Sequence, residues 1–143
     1  MSYRAASIDD LGDGVFRKIR PALGVTAFGV NAIVLPPATE WFCHYHDTQD
    51  ELYFVHHGRA GFEVADDVFE YGPGGVVHVE STTPRRFWNA GSDHLVLLVV
   101  GGKNGYVGRD GHMVDPADEE RRRRVSEGDL SVIESTRRDE DAR

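Results

Sequence analysis

His44 and His46 stand one residue apart, and Glu51 follows after a four-residue polar stretch, Asp47-Thr48-Gln49-Asp50. On an extended strand, residues two apart project from the same face, so both imidazoles would be presented side by side. Two imidazole nitrogens and a carboxylate are a ligand set for a divalent cation such as Fe, Mn, Ni or Zn. Three protein ligands leave positions open for water or a small molecule, which suits oxygen activation or Lewis-acid polarisation. The bland alternative is a pair of wall histidines hydrogen-bonded to their neighbours.

Holding such a cluster requires strands, and the flanking sequence supplies them. Glu40, Phe42, His44 and His46 alternate with Trp41, Cys43 and Tyr45. The polar stretch after His46 has the length to reverse the chain, so Leu52 to Val55 would return as a neighbouring strand and carry Glu51 beside the histidines. Upstream, Val25 to Leu35 reads as a core strand stopped by Pro36-Pro37. Downstream, Phe62-Glu63-Val64, Val68 to Tyr71, Val76 to Val79, Arg86 to Asn89 and Leu95 to Val100 read as short strands. Gly, Pro and Asp turns separate them, and no long amphipathic helix precedes residue 115. The pattern predicts an all-β fold, an antiparallel sandwich or barrel.

Composition bounds the rest. With 143 residues, 40% hydrophobic, the chain suits one domain with a proper core. The expected organisation is an N-terminal segment 1–14, a β-barrel domain 15–115 and a charged C-terminal tail 116–143, either a short helix or disordered. Although the formal net charge is −8, acidic residues flank the Arg121 to Arg124 run, which reads as a solvated helix with internal ion pairs. No basic stripe recruits nucleic acid. The run Leu95 to Val100 is far short of a membrane span, Met1 to Asp10 lacks a secretory pattern, and Cys43 is the only cysteine. A cytoplasmic protein is expected. Asn104-Gly105 and Asp110-Gly111 read as turn formers in a glycine-interrupted stretch.

The run His44-x-His46-x4-Glu51-x6-Gly58 resembles the first motif of the cupin superfamily, departing only where Ala38 replaces a glycine. The second motif maps onto Gly74, Glu80, Thr82, Arg85 and Asn89, of which Gly74 and Asn89 match. Phe16-Arg17, Arg20-Pro21-Ala22-Leu23-Gly24, Gly29-Val30-Asn31 and Pro36-Pro37 look like small bacterial cupins of undefined activity, so the resemblance spans roughly 15–102. It implies a cupin-type antiparallel β-barrel (a double-stranded β-helix, jelly-roll-like), commonly a homodimer. It also implies a metal held in the barrel mouth by three histidines and a glutamate. Arg85 occupies the position of the third histidine, and its permanently protonated guanidinium offers only donors. Either Arg85 binds an anionic ligand beside the metal, or it pairs with Glu51 and replaces the metal.

Three side chains are candidates for catalysis: Arg85, His78 and Tyr53. Tyr53, Val55 and His57 share the parity of Glu51, whereas His78 would face either the lumen or, with Val77 and Val79 buried, the outside. Phe87 and Asn89 share the parity of Arg85, with Asn89 also able to satisfy backbone groups. Trp41, Cys43, Tyr45 and Trp88 form an apolar face for sheet packing or dimerisation. The expected function is binding of a divalent metal and a small polar or anionic molecule, as in a metal-dependent dioxygenase, isomerase or decarboxylase. A non-catalytic small-molecule binding or sensing module, with or without a metal, is the other expectation.

Overall fold

The computed structural model describes residues 2–135. Ten strands build two five-stranded antiparallel sheets: β1 (Phe16–Lys18), β2 (Gly29–Leu35), β3 (His44–His46), β4 (Asp50–His57), β5 (Ala60–Val64), β6 (Asp67–Tyr71), β7 (Val76–Val79), β8 (Arg85–Asn89), β9 (Leu95–Gly102) and β10 (Gly111–Met113). One sheet runs β1-β2-β9-β4-β7 and the other β10-β3-β8-β5-β6. The chain crosses repeatedly between them, giving the rolled barrel expected from short alternating strands.

Period-two alternation sends one set of side chains into the space between the sheets. Tyr53, Val55, Leu95 and Leu97 enter from the first sheet, and Phe62 and Phe87 from the second, all 0–1% exposed. The register places Phe62 opposite Phe87 and Val64 opposite Arg85. Burying each large apolar side chain contributes roughly 1.5–3 kcal/mol relative to leaving it in water, so this layer fixes how the two sheets face each other.

On β4 the register shifts. A register shift between Val55 and His57 turns His57 out of the barrel, where its Nδ1 lies 2.9 Å from the His94 carbonyl. The expected inward parity of His57 is thereby corrected: a bulge inserts an extra residue and breaks the period.

Parts of the outer faces are covered by the chain's own ends. Ile8, Leu11 and the short helix α1 (Ile19–Leu23) pack on the β2–β9 face with Val30 and Ala32. The C-terminal helix α2 (Asp118–Ser126) and the 3-10 turn Leu130–Ile133 bring Val125 and Ile133, 6% and 2% exposed, into the core cluster that includes Trp41. Glu40 N–H donates to the Ile133 carbonyl at 2.8 Å, fastening that turn to the barrel. Trp88 lies over Gly61, where an added Cβ would come within 2.1 Å of the indole. The apolar face carrying Trp41 and Trp88 is therefore closed largely from within.

Residues 116–135 thus pack on the barrel, while 136–143 of the charged tail lie outside the described residues. In α2, Arg121 pairs with Asp118 at 2.6 Å and Arg123 with Glu120 and Glu127, whereas Arg122 lies 5.0 Å above both the Phe16 and Trp41 rings. Among the described residues, no helix is long and apolar enough to cross a membrane.

Candidate metal centre

The expected ligands converge from both sheets. His44 and His46 come from β3 and Glu51 from β4; Arg85 on β8 is the direct cross-strand neighbour of His44. His44, His46 and Glu51 are 8%, 9% and 9% exposed, and Arg85 is 1% exposed. Charges here are poorly solvated and must be satisfied by one another.

Glu51 Oε1 is the hub. It lies 2.9 Å from His46 Nε2 and 3.6 Å from His44 Nε2. It accepts hydrogen bonds from the Tyr53 hydroxyl at 2.8 Å and from Arg85 Nη1 at 3.1 Å. Arg85 Nη2 donates to the Glu80 and Ser81 carbonyls at 2.8 and 3.2 Å, so the guanidinium is anchored from behind. Burial alone would raise the Glu51 carboxyl, but hydrogen bonds and charge from His44 and His46 hold it well below the usual carboxylate range. Burial and the Glu51 charge push the Tyr53 phenol well above its ordinary value, which keeps it a neutral donor.

The far nitrogen of each imidazole is committed to an acceptor. His44 Nδ1 lies 3.0 Å from the Phe42 carbonyl, and His46 Nδ1 lies 2.9 Å from Asp110 Oδ1. A carbonyl or carboxylate only accepts, so in each neutral ring the proton sits on Nδ1 and the Nε2 lone pair turns toward Glu51. His46 Nε2 is buried without a hydrogen-bond partner. A lone pair 2.9 Å from a carboxylate oxygen is repulsive unless a proton or a cation intervenes. Burial disfavours the proton, but Glu51 and Asp110 outweigh burial and raise the His46 pKa.

The same arrangement fits a metal ion. Donor atoms sharing one ion at about 2.1 Å stand about 3.0–3.4 Å apart, and the two contacts to Glu51 fall near that spacing. One donor atom from each of His44, His46 and Glu51 lies within 4.8 Å of the others. These three residues could therefore hold a divalent cation, with no imidazole at the position of Arg85.

Asp110 is a part of the site that no motif marks. It sits in the glycine-interrupted stretch, 64 residues from His46, and reads locally as half of an Asp-Gly turn. Instead Gly111 opens β10, which pairs antiparallel with β3 and delivers Asp110 to His46. A Cβ at Gly111 would approach His46 Cε1 to 3.2 Å, so glycine lets the strand pass closely. Asp110 also accepts from the Thr48 and Gln49 backbone N–H groups at 2.7 and 2.9 Å and from Gln49 Nε2 at 2.6 Å. Against the opposing effect of burial, these donors hold its carboxyl well below the usual range.

The other candidates separate cleanly. Tyr53 is inside, 1% exposed, and hydrogen-bonded to Glu51. His78 is exposed on the outer face opposite Leu52, in a groove with Phe28 and Lys103, while Val77 and Val79 are buried. The lumenal alternative for His78 is corrected accordingly, because the apolar parity of β7 wins the interior. Phe87 belongs to the core. Asn89 donates to the Leu35 and Asp93 carbonyls at 3.0 and 2.7 Å and accepts from Gly91 N–H, a purely structural set of contacts.

A family model described as Cupin domain matches residues 32–101, which run from β2 to the end of β9 and contain the whole ligand cluster. In structure the chain is similar to a conserved protein with a double-stranded beta-helix domain from Klebsiella pneumoniae (TM-score 0.65, 15% identity, 78% of this chain and 97% of that one). It is also similar to a sugar phosphate isomerase from a cupin superfamily, from Silicibacter pomeroyi (TM-score 0.57, 24% identity, 71% of each chain). In sequence, an uncharacterized protein of Methanocaldococcus jannaschii is 26% identical over 65 residues, 46% of this chain. The match spans about half, 52%, of that relative's length. With the barrel, the motif spacing and these likenesses together, the chain belongs to the cupin superfamily.

Proposed function

We propose that this protein binds a divalent metal ion through His44, His46 and Glu51, together with a small polar or anionic molecule whose negative charge faces Arg85. The observation that carries this reading is the pair of imidazoles, each locked by an Nδ1 partner and each turning Nε2 toward one carboxylate oxygen. A bound ion would supply Lewis-acid polarisation or an open position for oxygen. Arg85 would orient the anion, and Tyr53 would hold Glu51 in place. Isomerase, decarboxylase and dioxygenase chemistry are all compatible with these roles. The sugar phosphate named for the Silicibacter neighbour is in keeping with an anionic ligand.

One contact favours a second reading, a metal-free binding module: the 3.1 Å hydrogen bond from Arg85 to Glu51 already neutralises the carboxylate. Elemental analysis after loading with iron, manganese, nickel or zinc separates the two. Near-stoichiometric retention by the wild type, lost in His44→Ala and His46→Ala, is the expected result. Failure of the wild type to retain any of the four ions would overturn the metal reading and leave the metal-free module.

A further inference from the structure

The charge count within the cluster constrains what accompanies a metal. Glu51 and Asp110 carry one negative charge each and Arg85 one positive charge, so with both imidazoles neutral the cluster is at minus one. A divalent ion takes it to plus one. That excess would sit among side chains 10–11% exposed, beside a guanidinium that is 1% exposed. Uncompensated charge in such surroundings is strongly unfavourable.

Arg85 cannot relieve the excess by swinging out to solvent. Its Nη2 is tied to two backbone carbonyls and its Nη1 to Glu51. Its Nε, however, is buried with no hydrogen-bond partner. One donor on a buried cation is thus left over, on the same guanidinium that pairs with Glu51. The tight burial also limits the size of whatever supplies that charge.

Resting on the metal-binding reading above, we propose that the metal ion and a small monoanionic carboxylate bind interdependently, each strengthening the other, with Arg85 as the residue that couples them. The carboxylate brings the cluster to neutrality and gives the Arg85 Nε–H an acceptor. Because coupling between two binding events is reciprocal, the factor by which the anion tightens the metal equals the factor by which the metal tightens the anion.

The test uses the full chain, Mn2+ and acetate, in a buffer whose other anion is the weakly coordinating perchlorate. Free Mn2+ is followed by its electron paramagnetic resonance signal. Saturating acetate is expected to tighten Mn2+ binding by about tenfold or more, and Mn2+ to tighten acetate binding by the same factor in calorimetry. Arg85→Met removes the positive charge, so its Mn2+ affinity should no longer depend on acetate. Equal Mn2+ affinity of the wild type with and without acetate would overturn the coupling while leaving the metal site intact. No Mn2+ binding in either buffer, with none of the other three ions retained, would remove the metal reading itself. Undiminished acetate dependence in a folded Arg85→Met protein would overturn the role of Arg85. Should that variant not fold, the reciprocity of the two wild-type titrations still decides the coupling.

Discussion

Replacing Asp110 by Asn separates metal binding from stability. Oδ1 of Asp110 accepts from His46 Nδ1 and Gln49 Nε2, while Oδ2 accepts from the Thr48 and Gln49 backbone N–H groups. Asparagine keeps one acceptor oxygen and turns the other into a donor. Facing its oxygen to the two backbone groups preserves the loop, and the Gln49 amide can rotate to offer its own oxygen. The Asn NH2 then meets His46 Nδ1, which must become an acceptor. The proton moves to Nε2, where it points at Glu51 and blocks ligation. The stability cost should be small, about 1 kcal/mol for one weakened charge-assisted bond, whereas metal affinity should fall about 100-fold, the upper range for losing a ligand's supporting hydrogen bond. Asp110→Ala differs: it leaves the Gln49 N–H and His46 Nδ1–H without acceptors. At roughly 1.5 kcal/mol each, it should lower stability by about 3 kcal/mol, near 10 °C in melting temperature for a chain of this size. Calorimetric metal titration, paired with 15N spectra that report which ring nitrogen carries the proton, checks both. Wild-type metal affinity in Asp110→Asn, or an unchanged Nδ1–H tautomer of His46, would refute the reasoning.

Ala38 sits at φ 60° where the family motif carries glycine, so Ala38→Gly should relieve left-handed strain and raise the urea midpoint by about 0.5–1 kcal/mol of stability. The acid limb of stability follows Glu51 and Asp110, whose folded carboxyls are held below the ordinary range. Their contribution is present above about pH 4 and is lost as pH falls below it. His46 has the opposite sign: raised in the folded state, it contributes fully below about pH 6.5 and loses that contribution as pH rises through its folded value. Thermal melts of the metal-free protein should therefore peak between about pH 4 and 6.5, and His46→Gln should flatten the upper fall. Ending the chain after Asp115 removes Val125 and Ile133 from the core and should cost about 3 kcal/mol or more in chemical unfolding. His78→Ala, on the outer face, should leave metal affinity unchanged in the same titration.

The histidine pair and Glu51 are legible because strand geometry is local: a period of two and a short polar turn suffice to place three polar side chains together. Arg85 is legible only through the second motif, since its partners Glu80 and Ser81 are backbone carbonyls with no residue signature. Asp110 is not legible at all. β10 is three residues, Gly-His-Met, without the apolar alternation that announces a strand, and pairing across 64 residues leaves no local trace. His57 misleads because a bulge shifts the period just before Gly58, and a glycine at a strand end signals a turn as readily as a bulge. The charged tail hides its anchors in the same way: Val125 is a lone apolar residue among charges, and Leu130, Val132 and Ile133 are a short cluster, too sparse to form a stripe.

Which of the two readings of Arg85 costs less can be argued from what each leaves unused. If the site existed only to pair Arg85 with Glu51, the carboxylate would already be satisfied by Arg85 and Tyr53, and the two Nη groups of the guanidinium by Glu51 and two carbonyls. The two histidines would then strengthen that pair only when protonated. Yet each ring is held by its own acceptor, one of them brought by a separate strand, and His46 Nε2 is left buried and unpartnered against an oxygen it repels when neutral. Buried ion pairs are often no more stable than apolar side chains of similar volume, so stability alone gives no reason to retain the arrangement. A cation accepting both Nε2 lone pairs removes the repulsion, employs both locked tautomers and gives the folded-back strand a purpose. Under the proposed metal reading, Arg85 would set the terms on which that cation enters, because its fixed charge favours an anion beside it.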